Sequence, residues 1–167
     1  NYEPADSRKS EFGPSRDIHD IKKDLIQAKE QLSNIFGDSV IDCFVPPWNR
    51  IREDIIPNLS ELGFSGFSSF GKRSSKVHES NLKWFNTHVD VIDWRNTRHF
   101  IGREAMISQI TDNLRRQRTR SGTSEPVGIL THHLNMIESD WEELRNIFTV
   151  LKKNNAVRFV DPLELFH

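Results

Sequence analysis

The sequence predicts an α/β fold in which parallel strands alternate with crossover helices. Short apolar or β-branched segments alternate with longer segments whose apolar residues recur at helical spacing. This repeated order of strand and helix is typical of parallel sheets, because a helix carries the chain from one strand to the next. The chain has 167 residues, so we expect residues 1–167 to form one domain.

Each element follows from its local pattern. Residues 1–16 are polar and rich in Pro, Gly and Ser, which predicts an extended lead-in. The predicted strands are short and apolar or β-branched, at 40–45, 64–70, 87–92, 127–130 and 157–160. The predicted helices have apolar residues at helical spacing, at 17–36, 51–62 and 101–118. Ser139 and Glu142 form a capping-box pattern that predicts a further long helix, and a short helical end follows Pro162. Loops are expected at 71–81 and 119–126.

Composition excludes several classes of function. The net charge is -1, so electrostatics favour neither a nucleic acid nor an acidic membrane as partner. Cys43 is the one cysteine, which excludes an internal disulfide and a cysteine-based zinc site.

No apolar run approaches the roughly 20 residues that span a bilayer, so no membrane span is expected. The first residue is Asn1 rather than a methionine, and we expect any targeting segment to lie upstream. The compartment stays open between bacterial cytoplasm and cell envelope.

Polar and aromatic side chains are concentrated where predicted strands end. Three segments have this character, at 47–50, 90–95 and 131–133. In parallel α/β folds the chemistry collects at the carboxyl ends of the strands. The three segments therefore predict one shared functional site.

The third segment contains His132 and His133, directly after a predicted buried strand. An imidazole titrates near neutral pH and can transfer a proton in either direction. We interpret His132 as a candidate general acid, with His133 beside it. A hydrogen-bonded structural histidine, or one on the surface, is the open alternative.

The second segment runs from Asp90 to Arg95. Strand alternation places Asp90 on the opposite face from Asp93. A carboxylate can orient an imidazole and stabilise its protonated form, and Trp94 can wall a pocket and stack on a sugar ring. The alternative is a surface ion pair of Asp93 with Arg95, with Trp94 in the core.

The first segment runs from Pro47 through Trp48 to Arg50, and Pro46 precedes it. Two prolines restrict the backbone, so the turn is rigid. Such a turn can direct a backbone N–H at a developing oxyanion. The alternative is a strand terminator followed by an aromatic plug.

Taken together, the three segments resemble the C-terminal motifs of the polysaccharide deacetylase family, also called carbohydrate esterase family four or the NodB-homology domain. The family's third motif, Arg-x-Pro-Tyr or Trp, corresponds to residues 45–48, which read Val-Pro-Pro-Trp. The fourth motif, Asp-x-x-Asp-Trp, is matched in full by residues 90–94. The fifth, Leu-x-His, is matched by residues 130–132. The order and separation agree over most of the chain.

The resemblance implies a distorted (β/α) barrel that removes acetyl groups from a glycan with the help of a divalent metal such as zinc. It implies that His132 is the general acid, that Asp93 orients it, and that Trp94 lines the acetyl pocket. The backbone N–H of Trp48 is then part of the oxyanion hole. The remaining residues expected around the substrate are Pro47, Asp90, His133 and Arg50.

The sequence departs from the family at its start. The family's first two motifs supply a catalytic aspartate and the metal ligands, and neither motif is found in this chain. We therefore expect a C-terminal portion of the barrel, inactive alone and without a complete metal site, whose open strand edges are covered by further N-terminal residues or by another chain. Val45 stands where the family has arginine, and Asn49 and Arg50 are candidates to compensate. The alternatives are an inactive glycan-binding or structural relative, and an unrelated α/β domain.

Overall fold

The computed structural model describes all residues except 74–80, 120–124 and 167. The chain forms two compact units. Unit 1 comprises Asn1–Asn86 and Pro162–His167, and unit 2 comprises Thr87–Asp161. Unit 2 is thus inserted between two sequence segments of unit 1. The expectation that residues 1–167 form a single domain stays a prediction.

The helices are α1 (Ile18–Phe36), α2 (Arg103–Arg118), α3 (Glu138–Lys152) and α4 (Pro162–Phe166). The strands are β1 (Cys43–Phe44), β2 (Gly66–Phe67), β3 (Lys83–Trp84), β4 (Thr87–Asp90) and β5 (Gly128–Leu130). In the described part of unit 1, three short 3₁₀ helices lie at Gly37–Ser39, Pro47–Asn49 and Glu53–Asn58.

The first helix begins and ends where the sequence predicted. The Asp17 carboxylate caps its first turn by accepting a hydrogen bond of 2.7 Å from the backbone N–H of His19. The helix ends at Gly37, which has φ of 55°, a conformation that favours glycine. Ile21 and Leu25 are buried and attach α1 to the core of unit 1.

A three-stranded parallel sheet in the order β1-β2-β3 lies in unit 1. Phe67 is fully buried in the middle strand and meets Trp84 of β3 edge-to-face, with ring centroids 4.8 Å apart. Among the described residues β1 is an edge strand, and a cleft of about 1000 Å³ lies beside it, lined in part by α1. The prediction that another segment or chain covers open strand edges stays a prediction.

Several elements of unit 1 differ from the prediction. The strands predicted at 40–45 and 64–70 are each two residues long, and β3 was not predicted. The helix predicted at 51–62 is a 3₁₀ helix at Glu53–Asn58. Pro57 lies inside it, and because proline lacks an N–H and clashes with the preceding turn, a long α-helix is disfavoured there.

The short helix α4 packs on unit 1. The Ser65 hydroxyl donates a hydrogen bond of 2.9 Å to the carbonyl of Phe166. The Phe166 ring meets Phe85 edge-to-face at 5.7 Å. A Cβ built on Gly66 would lie 2.4 Å from the Phe166 ring, so this close approach requires glycine.

Unit 2 is built on the parallel pair β4–β5, with α2 and the segment after it connecting the two strands. Val89 and Val91 are fully buried beside Met106 of α2. The ion pair of Arg103 with Glu143, at 2.6 Å, joins α2 to α3. The helices predicted around these strands are therefore present.

Two predictions in unit 2 are wrong. The helix α3 begins at Glu138 rather than after a Ser139 cap, and the Asp140 carboxylate accepts a hydrogen bond of 3.0 Å from the N–H of Ile137. Asp140 therefore occupies the role predicted for Glu142. Residues 157–160 form no strand, although their apolar residues suggested one. Phe159 instead meets Phe148 of α3 edge-to-face at 5.6 Å.

All strand pairs named above are parallel, in agreement with the predicted pairing. That the chain is part of a distorted (β/α) barrel, as the family resemblance implies, stays a prediction. None of the helices in the described parts of the chain has the length and apolar character needed to cross a membrane.

Candidate functional site

Parallel pairing brings two predicted site residues together in unit 2. Asp90 is the last residue of β4 and pairs with Leu130, the last residue of β5. His132 follows two residues later. Its Nε2 lies 2.9 Å from Oδ1 of Asp90, within hydrogen-bond distance. The carboxyl ends of two neighbouring strands thus place a carboxylate against an imidazole.

Three groups surround the Asp90 carboxylate. Oδ1 accepts a hydrogen bond of 3.0 Å from the N–H of Ile92 and contacts His132. Oδ2 accepts one of 2.9 Å from the indole N–H of Trp94. The carboxylate is therefore held in one orientation by its own loop while it contacts the imidazole.

Trp94 completes the cluster. Its ring meets the His132 ring edge-to-face, with centroids 4.8 Å apart. The indole is 43% exposed although its N–H is bonded to Asp90. An aromatic surface that is fixed in place yet open to solvent can stack on the apolar face of a sugar.

Asp93 makes hydrogen bonds within the turn that follows β4. Its carboxylate accepts hydrogen bonds of 3.0 and 3.1 Å from the side-chain amide of Asn96, and others from the N–H groups of Arg95 and Asn96. These hydrogen bonds, led by the Asn96 side chain, lower the pKa of Asp93 below its ordinary value. The carboxylate in contact with the His132 ring is that of Asp90, at the end of β4. The orienting role that the family motif implies for Asp93 stays a prediction.

The alternative stated for residues 90–95, an ion pair of Asp93 with Arg95 and a Trp94 in the core, differs from the structure. Asp93 accepts from the backbone of Arg95, in place of the predicted surface ion pair. Trp94 is exposed rather than part of the core. His132 is partly buried, and His133 beside it is exposed.

The proline turn lies in unit 1. It is closed by hydrogen bonds from Asn49 N–H to the Pro46 carbonyl at 2.9 Å and from Arg50 N–H to the Pro47 carbonyl at 3.2 Å. Trp48 and Asn49 both have positive φ, of 54° and 55°. Left-handed conformations in two consecutive non-glycine residues are strained, and such strain is common at functional sites. Trp48 is 45% exposed.

Arg50 is held by the lead-in segment. Its guanidinium donates a hydrogen bond of 2.7 Å to the carbonyl of Lys9, and its own carbonyl accepts one of 3.4 Å from the Ser10 hydroxyl. The side chain therefore anchors residues 1–16, a role that the sequence did not predict.

Within the described ranges, no three His, Cys, Asp or Glu side chains form a group that could hold a metal ion. Asp90 and His132 contact each other and supply two donors, whereas a protein metal site usually takes three or more.

A scan against protein-family models matches none, and searches of the curated proteins and of the solved structures return no match.

Proposed function

We propose that the parent protein of this chain removes acetyl groups from a glycan by metal-dependent hydrolysis, and that this chain is the C-terminal part of its deacetylase-like barrel. The observation that carries the proposal is the contact of Asp90 with His132 at 2.9 Å, beside the exposed ring of Trp94. A carboxylate, an imidazole and an aromatic platform are the groups that proton transfer on a sugar substrate requires.

In this proposal His132 is the general acid. When the bond to the acetyl carbon breaks, the leaving sugar nitrogen or oxygen takes up a proton, and a protonated imidazole supplies it. The Asp90 carboxylate compensates the positive charge of the imidazolium and fixes the ring through Nε2. The second ring nitrogen, Nδ1, is then the one that delivers the proton.

The other predicted substrate contacts remain proposals. Trp94 is the platform for the sugar. The strained turn at Pro47 and Trp48 is the proposed source of the oxyanion-binding N–H, and Arg50 and His133 are the proposed polar neighbours.

The metal is the part of the proposal that the described residues do not support by themselves. The resemblance assigns the metal ligands and the catalytic aspartate to two motifs that are not found in this sequence. No step of the mechanism above depends on the metal, and this chain alone is proposed to be inactive.

The alternative proposal is a relative of the deacetylases that binds a glycan or has a structural role without catalysis. It is favoured by Val45, which occupies the position of the family's arginine and is exposed at the end of β1. A valine can neither pair with a carboxylate nor donate a hydrogen bond from its side chain.

Acetate release tests the two proposals. The parent protein is incubated with an N-acetylated chitin oligosaccharide or an O-acetylated xylan, with Zn²⁺ or with a chelator, and acetate is measured. Catalysis predicts release that the chelator abolishes and that His132→Asn lowers by about 10²- to 10⁴-fold.

If neither substrate releases acetate while the oligosaccharide still binds, and Trp94→Ala weakens that binding, the non-catalytic alternative is supported. Acetate release that is unchanged in His132→Asn would contradict the role of His132.

A further inference from the structure

The pairing of β4 with β5 contains an irregularity at His88. Thr87 pairs with Gly128, and Val89 pairs with Ile129, so His88 is an extra residue between two consecutive pairs. In such a β-bulge the extra residue has no residue opposite it on the neighbouring strand.

The His88 side chain takes over the role of a backbone acceptor at this bulge. The backbone N–H of Gly128 donates a hydrogen bond of 3.2 Å to Nδ1 of the half-buried His88 ring. Because Nδ1 accepts, the neutral ring carries its proton on Nε2. A second proton has to bind at Nδ1, and it would remove the acceptor of Gly128.

Two charged groups act on the ring. Arg116 of α2 repels a positive charge on His88, whereas Glu125, in the segment before β5, attracts one. Burial is the largest effect, and it lowers the pKa of His88 below its ordinary value. At neutral pH the ring is therefore neutral and able to accept.

We infer that His88 is an acid-sensitive latch between β4 and β5, where latch means the hydrogen bond from Gly128 N–H to the imidazole. Protonation of Nδ1 breaks the latch and loosens the two strands that present Asp90 and His132. This inference concerns the response of unit 2 to pH and does not depend on the acetyl chemistry proposed above.

The direction of the pH effect follows from the lowered pKa. The unfolded chain binds a proton at His88 near pH 6.5, and the folded chain binds it only at lower pH. The stabilisation is therefore complete above about pH 6.5 and is lost as the pH falls through the folded pKa.

Amide hydrogen exchange of Gly128, followed by NMR, measures the latch directly. The protection of Gly128 is the exchange rate of an unstructured peptide at the same pH divided by the rate measured in the protein. Between pH 7.5 and the lowest pH at which circular dichroism shows the chain still folded, we expect the protection of Gly128 in the wild-type chain to fall about tenfold or more, the equivalent of one typical hydrogen bond. His88→Asn keeps an acceptor at the δ position but cannot be protonated, so its protection should not change with pH.

Two further variants sharpen the test. His88→Phe keeps a ring without an acceptor, and Gly128 should be unprotected at both pH values. His99→Asn removes an exposed histidine of the same unit and should behave like the wild type. Equal protection of wild-type Gly128 at both pH values would overturn the inference. A loss of protection in His88→Asn as large as that of the wild type would also overturn it.

Discussion

The Asp90 carboxylate and the His132 imidazole meet at 2.9 Å although 42 positions separate them in sequence. The contact arises because β4 and β5 are parallel neighbours with Asp90 opposite Leu130. The connection through α2 therefore brings the carboxylate at the end of β4 next to the imidazole that follows β5. Parallel α/β folds favour such contacts, because the carboxyl ends of neighbouring strands lie at the same edge of the sheet.

Asp90 and Asp93 have different contacts, so the first prediction compares a substitution at each of them. In the parent protein, Asp90→Asn should lower acetate release at least about 100-fold, because the imidazolium loses its compensating charge. Asp93→Asn should have a much smaller effect, since Asp93 accepts hydrogen bonds within its own turn. Initial rates of acetate release at saturating substrate, with circular dichroism as a check of folding, measure both. A larger loss in Asp93→Asn would support the role that the family motif implies.

The second prediction concerns the contact of Gly66 with Phe166. Gly66→Ala should destabilise the protein by about 1–3 kcal/mol, because the added methyl group meets the Phe166 ring at 2.4 Å. Urea unfolding measures this cost. In a Phe166→Ala background the ring is absent and the same substitution should cost much less. Equal costs in the two backgrounds would show that the strain has another origin.

Trp141 gives the third prediction. This partly buried residue of α3 packs against the core of unit 2. Trp141→Ala should cost about 3 kcal/mol, the lower end of the range for large aromatic truncations, because the side chain is not fully buried. Val150 on the same helix is 67% exposed, so Val150→Ala is the matched control and should cost under about 0.5 kcal/mol. Denaturant melts compare the two, and similar costs would contradict the packing of α3.

Cys43 gives the fourth prediction. Burial raises the pKa of the Cys43 thiol to about 11. Only the thiolate reacts with disulfide reagents, so at pH 8 the folded chain should react about 100-fold or more slowly than the chain in urea. The raised pKa also means that the thiol stabilises the fold below its unfolded pKa of about 8.5, and that this contribution is lost as the pH rises. Equal reaction rates in buffer and urea would contradict the raised pKa of this partly buried thiol.

The sequence predicted the helices better than the strands. The helix α1 has apolar residues at regular spacing, an Asp17 cap and a terminal Gly37, so local signals determine both ends. The strands have two to four residues, and their bounds depend on which neighbour supplies hydrogen bonds. Residues 157–160 have the apolar character of a strand without forming one. The loops predicted at 71–81 and 119–126 fall largely on residues outside the described part of the chain.

Asp90, Trp94 and His132 were candidates from the sequence, but the contact of Asp90 with His132 was not predicted. Alternation along the strand placed Asp90 and Asp93 on opposite faces, yet it could not determine which carboxylate meets His132. That choice depends on the register of β4 against β5, and the bulge at His88 changes this register by one residue. The roles of Arg50 and His88 also depend on contacts with residues about 40 positions away, which no local pattern reveals.

The insertion of unit 2 between two segments of unit 1 has a consequence for the order of events during synthesis. A ribosome completes Thr87–Asp161 before it adds the residues of α4, which pack on Ser65 and Phe85. Unit 2 has all of its residues while unit 1 still lacks its last helix. We therefore expect a released chain truncated after Asp161 to protect unit 2 from proteolysis while unit 1 is still cleaved.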